Sequence, residues 1–231
     1  MNLAVLLVLA GLTSAGKPAP SALPTPAASP APSAAPRPAP ISEPLRLLWQ
    51  DGVKNAYPRW SRDGARILFQ SNRTGRWQID VMNRDGSGQT QLTSGEANNN
   101  FPDWSPDNRS IAFVSDRDGN EEVYVMAADG GGARNLSRSP AQDIHPYWTP
   151  DGGHIVFASR RGGGRFGLFA MRADGTEARR ITTPPDGEQD ARPSVSPDRS
   201  RILFNRDRGE TIGIFVVEIA PDWWSAPPGR A

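Results

Sequence analysis

The chain of 231 residues has no cysteine. A disulfide-stapled scaffold and a thiolate nucleophile are therefore excluded, and a lipid anchor on an N-terminal cysteine is not expected. It has two histidines, His145 and His154, nine positions apart on either side of a turn, which makes no metal-ligand pair. The formal net charge is +1, so no bulk field draws the chain to nucleic acid or to an anionic membrane. After the first dozen residues no stretch approaches the roughly eighteen apolar residues of a membrane-spanning helix. No segment keeps helical periodicity over ten residues. A Gly-x-Ser-x-Gly elbow is missing, and glycine runs such as Gly130–Gly132 lack the Lys-Ser/Thr and following helix of a phosphate loop.

What is present falls into unequal parts. Met1 to Leu12 is mostly apolar and is followed by the small residues Thr13, Ser14 and Ala15. Residues 1–15 read as a secretory signal peptide, which implies a periplasmic or secreted protein with no membrane span once the signal is removed. Residues 16–44 alternate proline and alanine with serine, a composition that builds no core and favours a disordered, extended linker. Residues 45–219 are enough for one domain with a real core, and the Pro-rich residues 220–231 read as a flexible tail.

That domain repeats itself. Phe101–Ser137, FPDWSPDNRSIAFVSDRDGNEEVYVMAADGGGARNLS, has counterparts at Tyr57–Thr93, His145–Thr182 and, cut short, Arg192–Ile219. The anchoring prolines Pro58, Pro102, Pro146 and Pro193 are 44, 44 and 47 residues apart, a period that signals a repeat architecture. Within one copy, Pro102–Ser105, Ser110–Ser115, Glu122–Ala127 and Ala133–Ser137 read as short strands. They are separated by the turn chemistry of Pro106-Asp107-Asn108, Asp118-Gly119-Asn120 and Asp129-Gly130. Four antiparallel strands per copy make a blade, and the expected fold is an all-β propeller of four blades. The last copy stops after three strands. Leu48 lies ten residues before Pro58, as Leu92 and Leu136 precede Pro102 and Pro146. Residues 45–49 are thus expected to supply the missing strand and close the ring, which would leave no open edge. An open arc completed by association is the alternative, with a monomer favoured.

The motifs P-x-W-S-P-D-G, I-A-F-x-S-D-R-D-G and Y-V-M-x-x-D-G, repeated over nearly all of residues 45–219, resemble the β-propeller repeats of the TolB family. Valine 195 replaces the tryptophan of the other copies, Trp60, Trp104 and Trp148. The resemblance implies a non-enzymatic platform for protein–protein contacts in a bacterial cell envelope, with a protein or peptide partner and no cofactor.

The candidate contact residues follow from propeller topology. Asn55, Asn99, Asp143 and Asp190 stand three before each anchoring proline and are expected around one mouth of the channel, either as turn caps or as a polar funnel for a peptide or cation. Tyr57, Phe101, His145 and Arg192 flank the prolines on one side, and Arg59, Asp103 and Tyr147 on the other. The loops between second and third strands should share that face, with Arg160, Arg161 and Arg165 on a Gly-rich tip as contacts for a partly anionic surface. The tryptophans read as inter-blade core. Asp116-x-Asp118-x-Asn120-x-Glu122 lacks the full calcium loop and reads as a hairpin. A second reading is a small enzyme acting on carbohydrate or lactone, with Asp143 and Asp190 as channel carboxylates.

Overall fold

Alternation of apolar residues with Asp-Gly and Pro-Asp turns gives each copy its strands. A computed structural model describes residues 46–225. The first blade is β1 (Asn55–Trp60), β2 (Arg66–Ser71), β3 (Gln78–Asn83) and β4 (Thr90–Gln91); the second is β5 (Asn99–Trp104), β6 (Ser110–Ser115), β7 (Glu122–Ala127) and β8 (Arg134–Asn135). The third is β9 (Asp143–Trp148), β10 (His154–Ser159), β11 (Gly167–Arg172) and β12 (Arg179–Arg180), and the fourth has β13 (Gln189–Val195), β14 (Arg201–Arg208) and β15 (Thr211–Glu218). Each sheet is an antiparallel meander in chain order. The fold is the expected all-β propeller architecture of four blades. The first-to-second-strand turn is closed the same way in every copy. The hydroxyl of Ser61, Ser105, Thr149 or Ser196 donates to the carboxylate two residues on, at 2.5–2.6 Å.

In the first three blades the second strands β2, β6 and β10 are buried along nearly their whole length and read as continuous apolar runs, whereas β14 of the fourth blade alternates. Leu68, Ile79 and Val81 of the first blade pack on Trp104, Ile111, Phe113, Tyr124 and Met126 of the second. Ala112, Val123 and Val125 of the second meet Trp148, Ile155, Phe157, Phe169 and Met171 of the third. Val156, Leu168 and Ala170 of the third meet Val195, Ile202 and Phe204 of the fourth. We call the face covered by the next blade the trailing face and the opposite one the leading face. The cysteine-free domain is held by these wedges of aromatic and aliphatic side chains, with Trp104 and Trp148 in the core as expected.

The expected closure does not form. The fourth sheet is β13-β14-β15 alone, residues 46–50 form no strand, and Leu45 lies outside the described residues. Among the described residues no strand of the fourth blade contacts one of the first. Leu47 and Leu48 pack instead on Ile67, Phe69 and Met82, on the leading face of the first blade. Their position is nonetheless the one a preceding blade's last strand would occupy. The Leu47 carbonyl lies against Gly86 as those of Leu92 and Leu136 lie against Gly130 and Gly175. A Cβ on any of the three glycines would stand 2.8–2.9 Å from that oxygen, and all three have positive φ, so the Asp-Gly pairs admit only glycine there. Leu47 rather than the expected Leu48 holds that place, a shift of one residue, and the segment has no β15 beside it because no fourth-blade strand among the described residues reaches the first blade.

Within residues 220–231, expected as a flexible tail, the described part up to Ser225 carries structure. Pro221–Trp224 form a 3-10 helix. Trp224 is buried in the cluster between the third and fourth blades, and its indole N–H donates to the Arg199 carbonyl at 3.0 Å. The predicted signal peptide (1–15) and linker (16–44) lie outside the described residues. No helix among the described residues is long and apolar enough to cross a membrane.

Candidate functional site: an aromatic ladder along the inner strands

Each first strand bulges at its proline, where the register with the second strand shifts. The residue before the proline is left-handed in all four copies: Tyr57, Phe101, His145 and Arg192 have φ of 53, 52, 53 and 54°. A residue preceding proline normally stays extended, and a positive φ on a large side chain is uncommon. Four in repeat make a bulge that re-aims a side chain. The Tyr57 and Phe101 rings meet edge-on, centroids 4.8 Å apart at 87°, and Phe101 and His145 follow at 4.3 Å. Arg192 ends the ladder. The four line a cavity of about 520 Å³ with Arg59, Trp60, Arg62, Asp103 and Tyr147.

Two titrating groups in this cavity are displaced from their ordinary values. Burial, and then the positive charge of Arg192, push His145 down to about 4, so at neutral pH it is an uncharged ring whose buried Nδ1 has no partner among the described residues. Burial pushes Asp103 up to about 7, against the Trp148 N–H donated to it at 2.9 Å and the Arg59 guanidinium at 3.7 Å. A carboxyl whose folded value lies above its unfolded one favours the folded state while it is protonated. That contribution is lost as pH climbs from about 4 to about 7. Asp80, pushed up to about 6 by burial despite its ion pair with Arg73, has the same sign. Asp103→Asn keeps an oxygen for Trp148 and removes the charge. Its thermal midpoint should exceed that of the parent at pH 8 and match it at pH 4. Equal midpoints at both pH values would show that Asp103 is not charged at a cost.

The structure does not bring the whole predicted set together. Tyr57, Arg59, Phe101, Asp103, His145, Tyr147 and Arg192 line the cavity, whereas Asn55, Asn99, Asp143, Asp190, Arg160, Arg161 and Arg165 do not. Asn99, Asp143 and Asp190 are fully buried instead of ringing the mouth. The cause is an arginine folded back onto each. Arg117 donates to Asn99 at 3.0 Å, Arg161 to Asp143 at 2.8 Å, and Arg206 donates twice to Asp190, at 2.6 and 2.9 Å. In the first blade Asn55 is exposed, and Arg73 pairs with Asp80. Arg161 is thus part of the framework, not a free contact. Arg160 stacks on Phe166 at 4.5 Å, and Arg165 pairs with Asp186 at the surface at 2.7 Å. The Ser-x-Arg of Ser115–Arg117 and Ser159–Arg161 was the available signal for two of these three. Each serine sits opposite the Asx residue across the β-ladder, which places the arginine two residues on within reach. Sequence reading also missed Trp60 and Arg62 as cavity residues.

The hairpin Asp116–Glu122 is a turn with its own partners. Asp118 accepts from Tyr124 and Asn135, Asn120 donates to the Ser139 and Ala141 carbonyls, and Glu122 accepts from Ser137 and Ser139. No group of three His, Cys, Asp or Glu residues among the described residues is placed to hold a metal ion.

Blades in chain order around an inner-strand cavity define a β-propeller. The chain matches the TolB beta propeller domain over residues 48–223 and belongs to that family. Among solved structures it is similar to a candidate TolB from Agrobacterium tumefaciens, at 24% identity and a TM-score of 0.62 over 69% of this chain and 60% of that one. It is similar to TolB from Acinetobacter baumannii at 23% identity and a TM-score of 0.62, over 72% of this chain and 41% of that one. A puromycin hydrolase is similar at 18% identity and 0.57, over 71% of this chain and 27% of that one. The likeness is one of fold, and the chain spans less than two thirds of each of these proteins. No curated protein matches it.

Proposed function

We propose that this chain is an exported, non-enzymatic platform of the cell envelope that binds a protein partner through an extended peptide segment seated on the Tyr57–Phe101–His145 ladder. The carrying observation is that ladder, a run of rings held at positive φ in successive blades and rimmed by Arg59, Arg62 and Arg192. Aromatic and arginine side chains are the residues by which interfaces gain most of their affinity. An apolar side chain laid along the rings with an acidic neighbour facing Arg192 is the ligand chemistry that fits. The second reading, a carbohydrate- or lactone-cleaving enzyme, needs two carboxyls facing one substrate. Asp143 and Asp190 face arginines away from the cavity, and Asp103 is the one carboxylate among its lining residues.

The test is crosslinking and pulldown from an envelope extract with the parent and with Tyr57→Ala/Arg192→Glu, both at exposed positions. The partner recovered by the parent should fall at least about tenfold with the variant, on the scale of losing hot-spot contacts. Equal recovery would place binding elsewhere. Hydrolysis of a sugar or lactone panel that Asp103→Asn abolishes would replace the platform with the enzyme.

A further inference from the structure

The two ends of the arc carry complementary halves of an interface that the chain builds three times internally. The trailing residues Leu68, Ile79 and Val81 are buried by the second blade, and their counterparts in the second and third blades are buried likewise. The same repeat positions in the fourth blade are Leu203, Ile214 and Val216, which are 51%, 80% and 55% exposed. At the other end, Trp60 is 59% exposed, whereas Trp104 and Trp148 are 6% and 7% exposed. Trp104 is capped by the first blade's Arg66, whose guanidinium lies 4.7 Å over the indole. Arg66 stands eight residues after Pro58, and Arg201 stands eight after Pro193. The fourth blade therefore presents an exposed arginine where the first blade presents the one that caps a tryptophan. Leu47 and Leu48 already hold the place of a preceding blade's last strand on the first blade.

We infer that the trailing face of the fourth blade docks on the leading face of the first blade of a second copy, closing two chains into one ring. Leu203, Ile214 and Val216 cover the Trp60 side of the partner copy, Arg201 stacks on its Trp60, and β15 runs beside the segment that carries Leu47 and Leu48. The contact is head-to-tail, so it must close or polymerise. Two arcs of four give a ring of about eight blades, inside the usual range of about four to eight for closed propellers, and three arcs do not. Association also shields the long apolar edge strand β15, an aggregation hazard when left open. The monomer expected from sequence is thereby replaced with a two-chain assembly.

The absence of cysteine makes the test direct, because introduced thiols are the only ones. In the full chain, Trp60→Cys with Arg201→Cys should oxidise to a species of two chains. The parent should sediment as a dimer at micromolar concentration, and Ile214→Glu should raise its Kd at least about tenfold while leaving the circular dichroism spectrum unchanged. Mixing Ile214→Glu with Trp60→Glu leaves one intact contact and should restore a weak heterodimer. A crosslink within one chain, a monomeric parent at about 100 μM, a polymer beyond two chains, or a dimer indifferent to Ile214→Glu would each overturn the two-chain ring.

Discussion

Arg161→Met is expected to cost the domain about 3–5 kcal/mol at pH 7, the penalty for stripping a buried charge of its partner. Arg161 bonds Asp143 at 2.8 Å and the Ser137 carbonyl at 2.7 Å, and it lies over the Phe157 and Phe169 rings. Asp143 is fully buried, and its second oxygen has no hydrogen-bond partner among the described residues. Burial already holds its carboxyl above the ordinary range, against the neighbouring Ser159 hydroxyl and the Arg161 guanidinium. Without Arg161 the carboxyl would rise further, so the penalty should shrink as acid protonates it. The double variant Arg161→Met/Asp143→Asn should recover most of the loss, because the second blade shows that Asn99 fits the equivalent place. Arg165→Ala, from an ion pair whose carboxylate is fully exposed, should change stability by less than about 0.5 kcal/mol. Urea midpoints at pH 7 and pH 5 would measure all four. A cost for Arg161→Met no larger than for Arg165→Ala would mean that Asp143 is solvated in the folded chain.

That contrast marks where the sequence was legible. Strands β6 and β7 have the bounds expected from their residues alone, and the turns lie at the Pro-Asp and Asp-Gly pairs, because local chemistry decides both. The fourth strand of the second blade is shorter than the expected Ala133–Ser137. The ladder takes only Arg134–Asn135; the Leu136 N–H then donates to the Val123 carbonyl, and the Ser137 hydroxyl accepts the Val123 N–H. The residues flanking the prolines were found by their repeat position, but the left-handed bulge that aims them was not, since nothing local favours positive φ before proline. The Asx ring was misplaced for a related reason. Spacing put the four residues at the end of a loop, whereas the arginines that draw three of them inward come from the next hairpin, and sequence alone does not show which way such a side chain folds. Ring closure depended on an inter-blade angle, a property of packed side-chain volumes that no single repeat encodes.

The three repeat-equivalent tryptophans give the second large expected effect. Trp104→Ala and Trp148→Ala should each cost about 3–5 kcal/mol, the loss for emptying an aromatic site in a close-packed core. Trp60→Ala, measured at protein concentrations low enough to keep the chain single, should cost less than about 0.5 kcal/mol, as surface substitutions do. The residue type, the turn that follows and the position in the blade are the same in all three. What differs is the blade in front. Leu68, Ile79 and Val81 cover Trp104, and Ala112, Val123 and Val125 cover Trp148, while among the described residues no fourth-blade strand reaches the first. Trp→Phe at the two buried sites should lose much less than Trp→Ala, because neither indole N–H has a hydrogen-bond partner among the described residues to give up. Denaturation of the three alanine variants side by side therefore reads out the topology of the arc. If Trp60→Ala costs the single chain as much as its counterparts do, the first blade is covered from within, and the fourth blade must reach it after all.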